Sequence, residues 1–134
     1  MEPFRGVDYL LIDSMLSEDE LLVRQTGRKF VDDRVAPIIR DCFRDARFPL
    51  ELVRDMGELG FFGANLEGYG CAGMSSVEYG LLMQELERGD SGVRSCASVQ
   101  GALVMYPILS FGSDSRRQSG CQSCKPARYW GVSG

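Results

Sequence analysis

In the stretch GDSGVRSCASVQ, an arginine at position 94 is followed by serines at 95 and 98. On a helix, positions four apart share a face, so Arg94 and Ser98 can meet the same ligand. An arginine fork binds a carboxylate through two parallel N–H···O bonds, and a neighbouring hydroxyl adds a donor. An arginine set among small and apolar residues (Cys96, Ala97, Val99) is costly to bury unless it has a partner. The chemistry open to this group is recognition of an acid. A plainer role fits the same residues: Arg94 as a surface or capping charge after GDSG, and Ser98 as a small packing residue.

Two further motifs have the spacing of known chemistry. Residues 68–73, GYGCAG, match the G-x-G-x-x-G of dinucleotide-binding turns. That turn needs a strand before it, a helix after it, and a second strand ending in an acid about 20 residues on. A helix follows, but the preceding segment is a poor strand and the next element is another helix. The glycines are therefore read as interhelical turns, some with φ > 0. Residues 121–124, CQSC, are half of a zinc or redox site. One C-x-x-C without a second pair or a histidine does not close a four-ligand site, so no metal is expected.

Composition narrows the classes. The 134 residues are 44% apolar and 25% charged, as in ordinary globular proteins. A net charge of −4 gives no general attraction to nucleic acid or to an anionic membrane. No apolar run approaches the ~20 residues of a membrane span, and no secretory leader is read at the start. Five cysteines without a leader favour thiols in a reducing compartment, and a cytoplasmic location is expected. The chain has no histidine, which removes the commonest general base.

The elements that must position these residues read as all-α. Ser17 and Glu20 form a capping box, S-x-x-E, opening a helix that runs to about Ala46 with a kink at Pro37. Pro49 suits the first turn of a second helix, PLELVRDMGEL, and Gly60 its C′ position. Ser75 and Glu78 form another box, and a third helix runs to about Arg88. A fourth begins near Ser91 and reaches Pro107. Ser113 or Asp114 caps a fifth that barely begins before the composition changes. Met83, Met105, Phe61 and Phe62 are assigned to the core, Cys71 and Cys96 are expected to be buried, inert thiols, and Leu103, Val104 and Ile108 to lie on exposed apolar faces.

Residues 1–118 resemble the N-terminal helical domain of acyl-CoA dehydrogenases, most nearly the glutaryl-CoA dehydrogenases. The marks are ELGFFG at 58–63, GYGCAG at 68–73, ELERGDSG at 85–92 and RSCASVQ at 94–100. The resemblance implies oxidation of an acyl-CoA thioester, in which a carboxylate removes the α-proton and FAD accepts the β-hydride. In the glutaryl branch, loss of CO₂ gives crotonyl-CoA. It further implies an electron-transfer flavoprotein as partner and a homotetramer, with no nucleic acid and no membrane. The family's flavin contacts and its catalytic glutamate belong to later domains, so no catalytic and no cofactor-binding residue is assigned in this stretch, and it is not expected to hold FAD stably alone. What it does imply is one wall of the acyl pocket: Arg94 facing the distal carboxylate of the substrate, Ser95 and Ser98 beside it, and Glu87 orienting the arginine. Val93 and Tyr106 depart from the pattern, where an aromatic and a histidine are common. The alternative from another class is a non-catalytic helical interaction module, in which Glu87 is a solvated helix charge.

Residues 119–134 do not fit the resemblance. All 19 acids lie at or before Asp114, and SGCQSCKPARYWGVSG carries only Lys125 and Arg128 as charges. With suitable synonymous codons and one A restored after the codon of Gln118, the tail reads QKRLPKLQTGEILGCFG, the family continuation. Trp130 restricts that choice, since it has a single codon. The tail is therefore read as a frameshifted, disordered segment. Sequencing the locus is expected to show a short A run at codons 118–119 and family-like sequence continuing in the alternative frame. A confirmed reading with no such open frame would make the tail evolved sequence.

Overall fold

The structure, a computed structural model, describes residues 9–121, and among them every regular element is helical. Both capping boxes form as read. Ser17 Oγ accepts from the Glu20 N–H while Glu20 accepts from the Ser17 N–H, and Ser75 and Glu78 do the same. They open helix α1 (Glu18–Phe30) and, later in the chain, a helix at Ser76.

The first long helix continues past its proline, as read. α1 passes through a wide π turn (Val31–Val35) into α2 (Ala36–Arg44). A proline ring clashes with the carbonyl four residues back, and an inserted π turn relieves that clash without ending the helix. The same device recurs downstream. Helix α5 (Ser91–Val99) widens over Gln100–Met105 and continues as α6 (Tyr106–Phe111), so the helix runs past Pro107 rather than stopping there.

Helix α3 (Glu51–Glu58) ends as its glycine predicts. Gly60 has φ 74°, its N–H donates to the Gly57 carbonyl, and the Phe61 N–H reaches back to Met56, a Schellman closure. The GYGCAG loop follows. Gly68, Gly70 and Gly73 all have positive φ, with Tyr69 between them at 52°. The loop is tied down by Gly73 N–H to Leu66 O and Met74 N–H to Ala64 O. Helix α4 (Ser76–Gly89) starts only beyond it.

The core gathers α1, α3, α4 and α5 around Phe30, Val35, Met56, Phe61, Leu82, Leu86 and Met105, with the rings of Phe30 and Phe61 edge to face at 5.4 Å. Phe62 is buried and Met83 packs at the edge, as assigned. Gly101 lies against the backbone of Gly63, where an added Cβ would sit 3.2 Å from the Gly63 nitrogen. That approach fixes the helix carrying Arg94 against the 59–75 loop.

Helices α1 and α4 are also clamped by charge. Glu85, 3% exposed, accepts from Arg28 Nη2 at 2.6 Å and from Arg88 Nε at 2.8 Å, and Arg88 donates onward to Asp32. Burial pulls the Glu85 carboxyl up, but its bonds to Arg28 and Arg88 outweigh that, and the group is held below the usual carboxylate value.

Three other expectations are adjusted. Cys71 and Cys96 are half-buried rather than buried; only Cys42 among the described thiols is enclosed. Leu103 is exposed, while Val104 and Ile108 are half-buried. Helix α7 (Asp114–Cys121) continues past Gln118 through Ser119 and Gly120, so the change of composition does not stop it. The tail beyond 121, including Cys124 of the C-x-x-C motif, lies outside the described residues. No described helix is long and apolar enough to cross a membrane, and no described group of three His, Cys, Asp or Glu could hold a metal.

Candidate acyl-group site

Asp90 closes one helix and opens the next. Its backbone is extended, its N–H caps α4 at the Leu86 carbonyl, and its Oδ1 accepts from the Val93 N–H at the start of α5. The tight reversal sets the last turns of α4 beside the first turns of α5, and so brings Glu87 to Arg94.

Arg94 Nε donates to Glu87 Oε2 at 2.6 Å, and Nη1 donates to Ser98 Oγ at 3.2 Å. The Ser98 hydroxyl in turn donates to the Ser95 carbonyl at 3.2 Å. The Arg94 side chain is 35% exposed, and no other bond within the described residues engages Nη2. One edge of the guanidinium is thus fixed by its own chain and the other faces outward with donors to spare, which is the arrangement a carboxylate requires. Tyr79 stands nearby. Burial raises its phenol above the ordinary value, and the positive charge of Arg94 works against that rise.

Of the four residues read from the sequence, Glu87, Arg94 and Ser98 come together directly. Ser95 joins through its carbonyl only. Ser95 also lines a hollow of about 310 Å³ with Phe48, Gly92, Cys96, Val99 and Gln100. Val93 is fully buried in the core and Tyr106 is exposed, so neither departure touches the arginine. Two polar residues went unread. Glu85 sits between Leu82 and Leu86 on the apolar stripe of α4, a position where an acid signals a buried pair. Gln100, 5% exposed, gave no sequence signal beyond its place in SVQ.

The GYGCAG loop does not fit a dinucleotide phosphate. A phosphate at a helix N-terminus needs free N–H groups. Here the first turn of α4 is closed by Ser75 Oγ, and the Glu78 carboxylate already stands over it.

Residues 17–122 match the family described as acyl-CoA dehydrogenase, N-terminal domain. The chain belongs to the acyl-CoA dehydrogenase family. Among its relatives, mitochondrial short-chain specific acyl-CoA dehydrogenase of Bos taurus is 35% identical over 104 residues, which are 77% of this chain and 25% of that protein. The crystal structure of glutaryl-CoA dehydrogenase from Mycobacterium smegmatis superposes with a TM-score of 0.87 at 46% identity, over 93% of this chain and 33% of that one. A glutaryl-CoA dehydrogenase from the same organism in complex with FADH2 gives 0.81 at 44%, over 84% and 29%. The chain spans about a quarter to a third of the length of these acyl-CoA dehydrogenases.

Proposed function

We propose that this helical segment supplies the carboxylate-recognising wall of a glutaryl-CoA-type acyl-CoA dehydrogenase. The observation that carries the reading is the Glu87–Arg94–Ser98 group. Glu87 offsets the arginine's charge and Ser98 steadies the fork, so Arg94 presents its outward donors at a fixed angle to the distal acid of a dicarboxylic thioester. Such an acid would be oriented with its reactive carbons a fixed distance from the helix, which is how binding far from the chemistry lowers a barrier. FAD, when bound in the full-length enzyme, supplies the hydride acceptor. The electrons then pass to an electron-transfer flavoprotein, and the full-length subunits assemble as a homotetramer. Likeness to the glutaryl-CoA dehydrogenase structure across nearly the whole chain supports this choice over other branches of the family.

The test is an enzyme in which this segment is spliced to the flavin and C-terminal domains of the Mycobacterium smegmatis glutaryl-CoA dehydrogenase. It should turn over glutaryl-CoA in preference to butyryl-CoA. Equal use of both would remove the carboxylate-recognising role.

The described residues contain no phosphate cradle at GYGCAG, and the remaining flavin contacts of the family belong to domains outside the matched stretch. Titration of the purified chain with FAD is therefore expected to show no stoichiometric binding in the micromolar range. A yellow chain that keeps its flavin through gel filtration would contradict this.

A further inference from the structure

Val93, Ala97, Gly101 and Met105 are all buried, and they follow one another at four-residue steps along α5 and the wide turn after it. An α-helix turns about 100° per residue, so four-residue steps drift about 40° each, and Val93 and Met105 would stand about 120° apart. The π turn reduces that drift. The Tyr106 N–H donates to the Gly101 carbonyl, five residues back, and this wider winding brings the four positions back toward one line. Gly101 is where the line meets another stretch of backbone: an added Cβ would lie 3.2 Å from the Gly63 nitrogen and 3.3 Å from its Cα. The Gly63 side gives little. It stands at φ 60°, its carbonyl accepts from the Leu66 N–H, and the next carbonyl, of Ala64, accepts from the Met74 N–H. Arg94 and Ser98 each follow one residue after a member of the line, so its rotation sets where both point. Ser98 moves with Arg94 on α5, whereas Glu87 belongs to α4.

We infer that Gly101 is a positioning residue for acid recognition: by letting α5 close on the Gly63 backbone, it sets the rotation and depth of that helix, and with them the seat of Arg94 on Glu87. The inference rests on the reading of Arg94 as the partner of the substrate's distal carboxylate. A side chain at 101 meets backbone that is tied down, so α5 yields rather than the loop. Arg94 and Ser98 then travel together, the 2.6 Å bond from Arg94 Nε to Glu87 lengthens, and the outward donors turn from the angle that a carboxylate needs. A thioester without a distal acid makes no use of those donors. Gly101 therefore acts on the choice between an acyl chain that ends in an acid and one that does not.

In the full chain, nitrogen–proton NMR spectra follow the Arg94 Nε–H, assigned by its loss in Arg94→Lys, with the Arg88 Nε–H on Glu85 as internal reference. Gly101→Ala should shift the Arg94 signal and leave the Arg88 signal in place. Alanine is the better helix former, which favours folding of this variant. Met105→Leu, which alters the same line without a backbone clash, should move the signals in the same selective way. An Arg94 signal unmoved in both variants, or moved no more than that of Arg88, would overturn the inference. In the spliced enzyme, Gly101→Ala should lower kcat/KM for glutaryl-CoA about three- to tenfold, mainly through KM, with butyryl-CoA little changed. In an Arg94→Ala background the same substitution should no longer discriminate between the two thioesters. Equal losses on both, or a full effect without Arg94, would overturn the inference while leaving the role of Arg94 intact. An Arg94→Ala variant that itself loses equally on both would instead remove the reading on which the inference rests.

Discussion

Replacing Arg94 with alanine in the spliced full-length enzyme is expected to cut kcat/KM for glutaryl-CoA while leaving butyryl-CoA within a few-fold. Leaving a substrate carboxylate without its partner in a closed site costs about 2–5 kcal/mol, roughly 30- to 4,000-fold. The lower half of that range is expected, because the Arg94 side chain is one-third exposed and water can replace part of the lost interaction. Lysine at 94 should recover only part of the loss. It keeps the charge but cannot hold Glu87 and Ser98 while presenting two parallel donors. Parallel kinetics on the two thioesters check this, and equal losses on both would make Arg94 a structural residue.

The second large effect falls on stability. Glu85→Gln should destabilise the domain by about 2–3 kcal/mol, since a hydrogen bond to a charged group is worth about that much and breaking a buried pair costs more. The estimate stays at the low end because Arg28 and Arg88 are about half exposed and can rehydrate. The pH dependence follows from the direction of the shift. The Glu85 carboxyl is held below its ordinary 4.5 in the folded chain, so the unfolded chain binds its proton first. The contribution of the ionised group is complete above the unfolded value and drains away as pH falls through the folded one. Urea unfolding should therefore show the largest gap between the native chain and Glu85→Gln near pH 7, narrowing below about pH 4.5. A gap that does not change with pH would mean that Glu85 contributes by packing alone.

Much of this fold was legible because its signals are local. Capping boxes at Ser17 and Ser75 and the C′ glycine at 60 act through bonds within a few residues, and the sequence carries each one whole. Pro107 misled for a related reason, since the helix read as ending there runs on to Phe111. Pro37 and Pro107 announce a missing N–H and a clash, but the repair by a π turn is chosen by packing. Val31, Val35 and Met105 must all reach one core, and a continuous helix with a wide turn delivers them there. In the site, Arg94 and Ser98 were legible from helical spacing, and Glu87 came with the resemblance rather than from its spacing. Ser95 also came with the resemblance; one residue along a helix is about 100° round it, and it meets the group through its carbonyl. Glu85 left a local trace as an acid on the apolar stripe of α4, but its partner Arg28 is brought by a tertiary contact, and Gln100 left no such trace.

The most direct measurement is a crystal structure of the spliced enzyme with a glutaryl thioester or an unreactive thioether analogue bound. The distal carboxylate should lie within hydrogen-bond distance of the outward donors of Arg94, with Glu87 still on Nε and Ser98 on Nη1. A carboxylate bound elsewhere, with the Glu87–Arg94–Ser98 group unchanged and turned away from the ligand, would contradict the account.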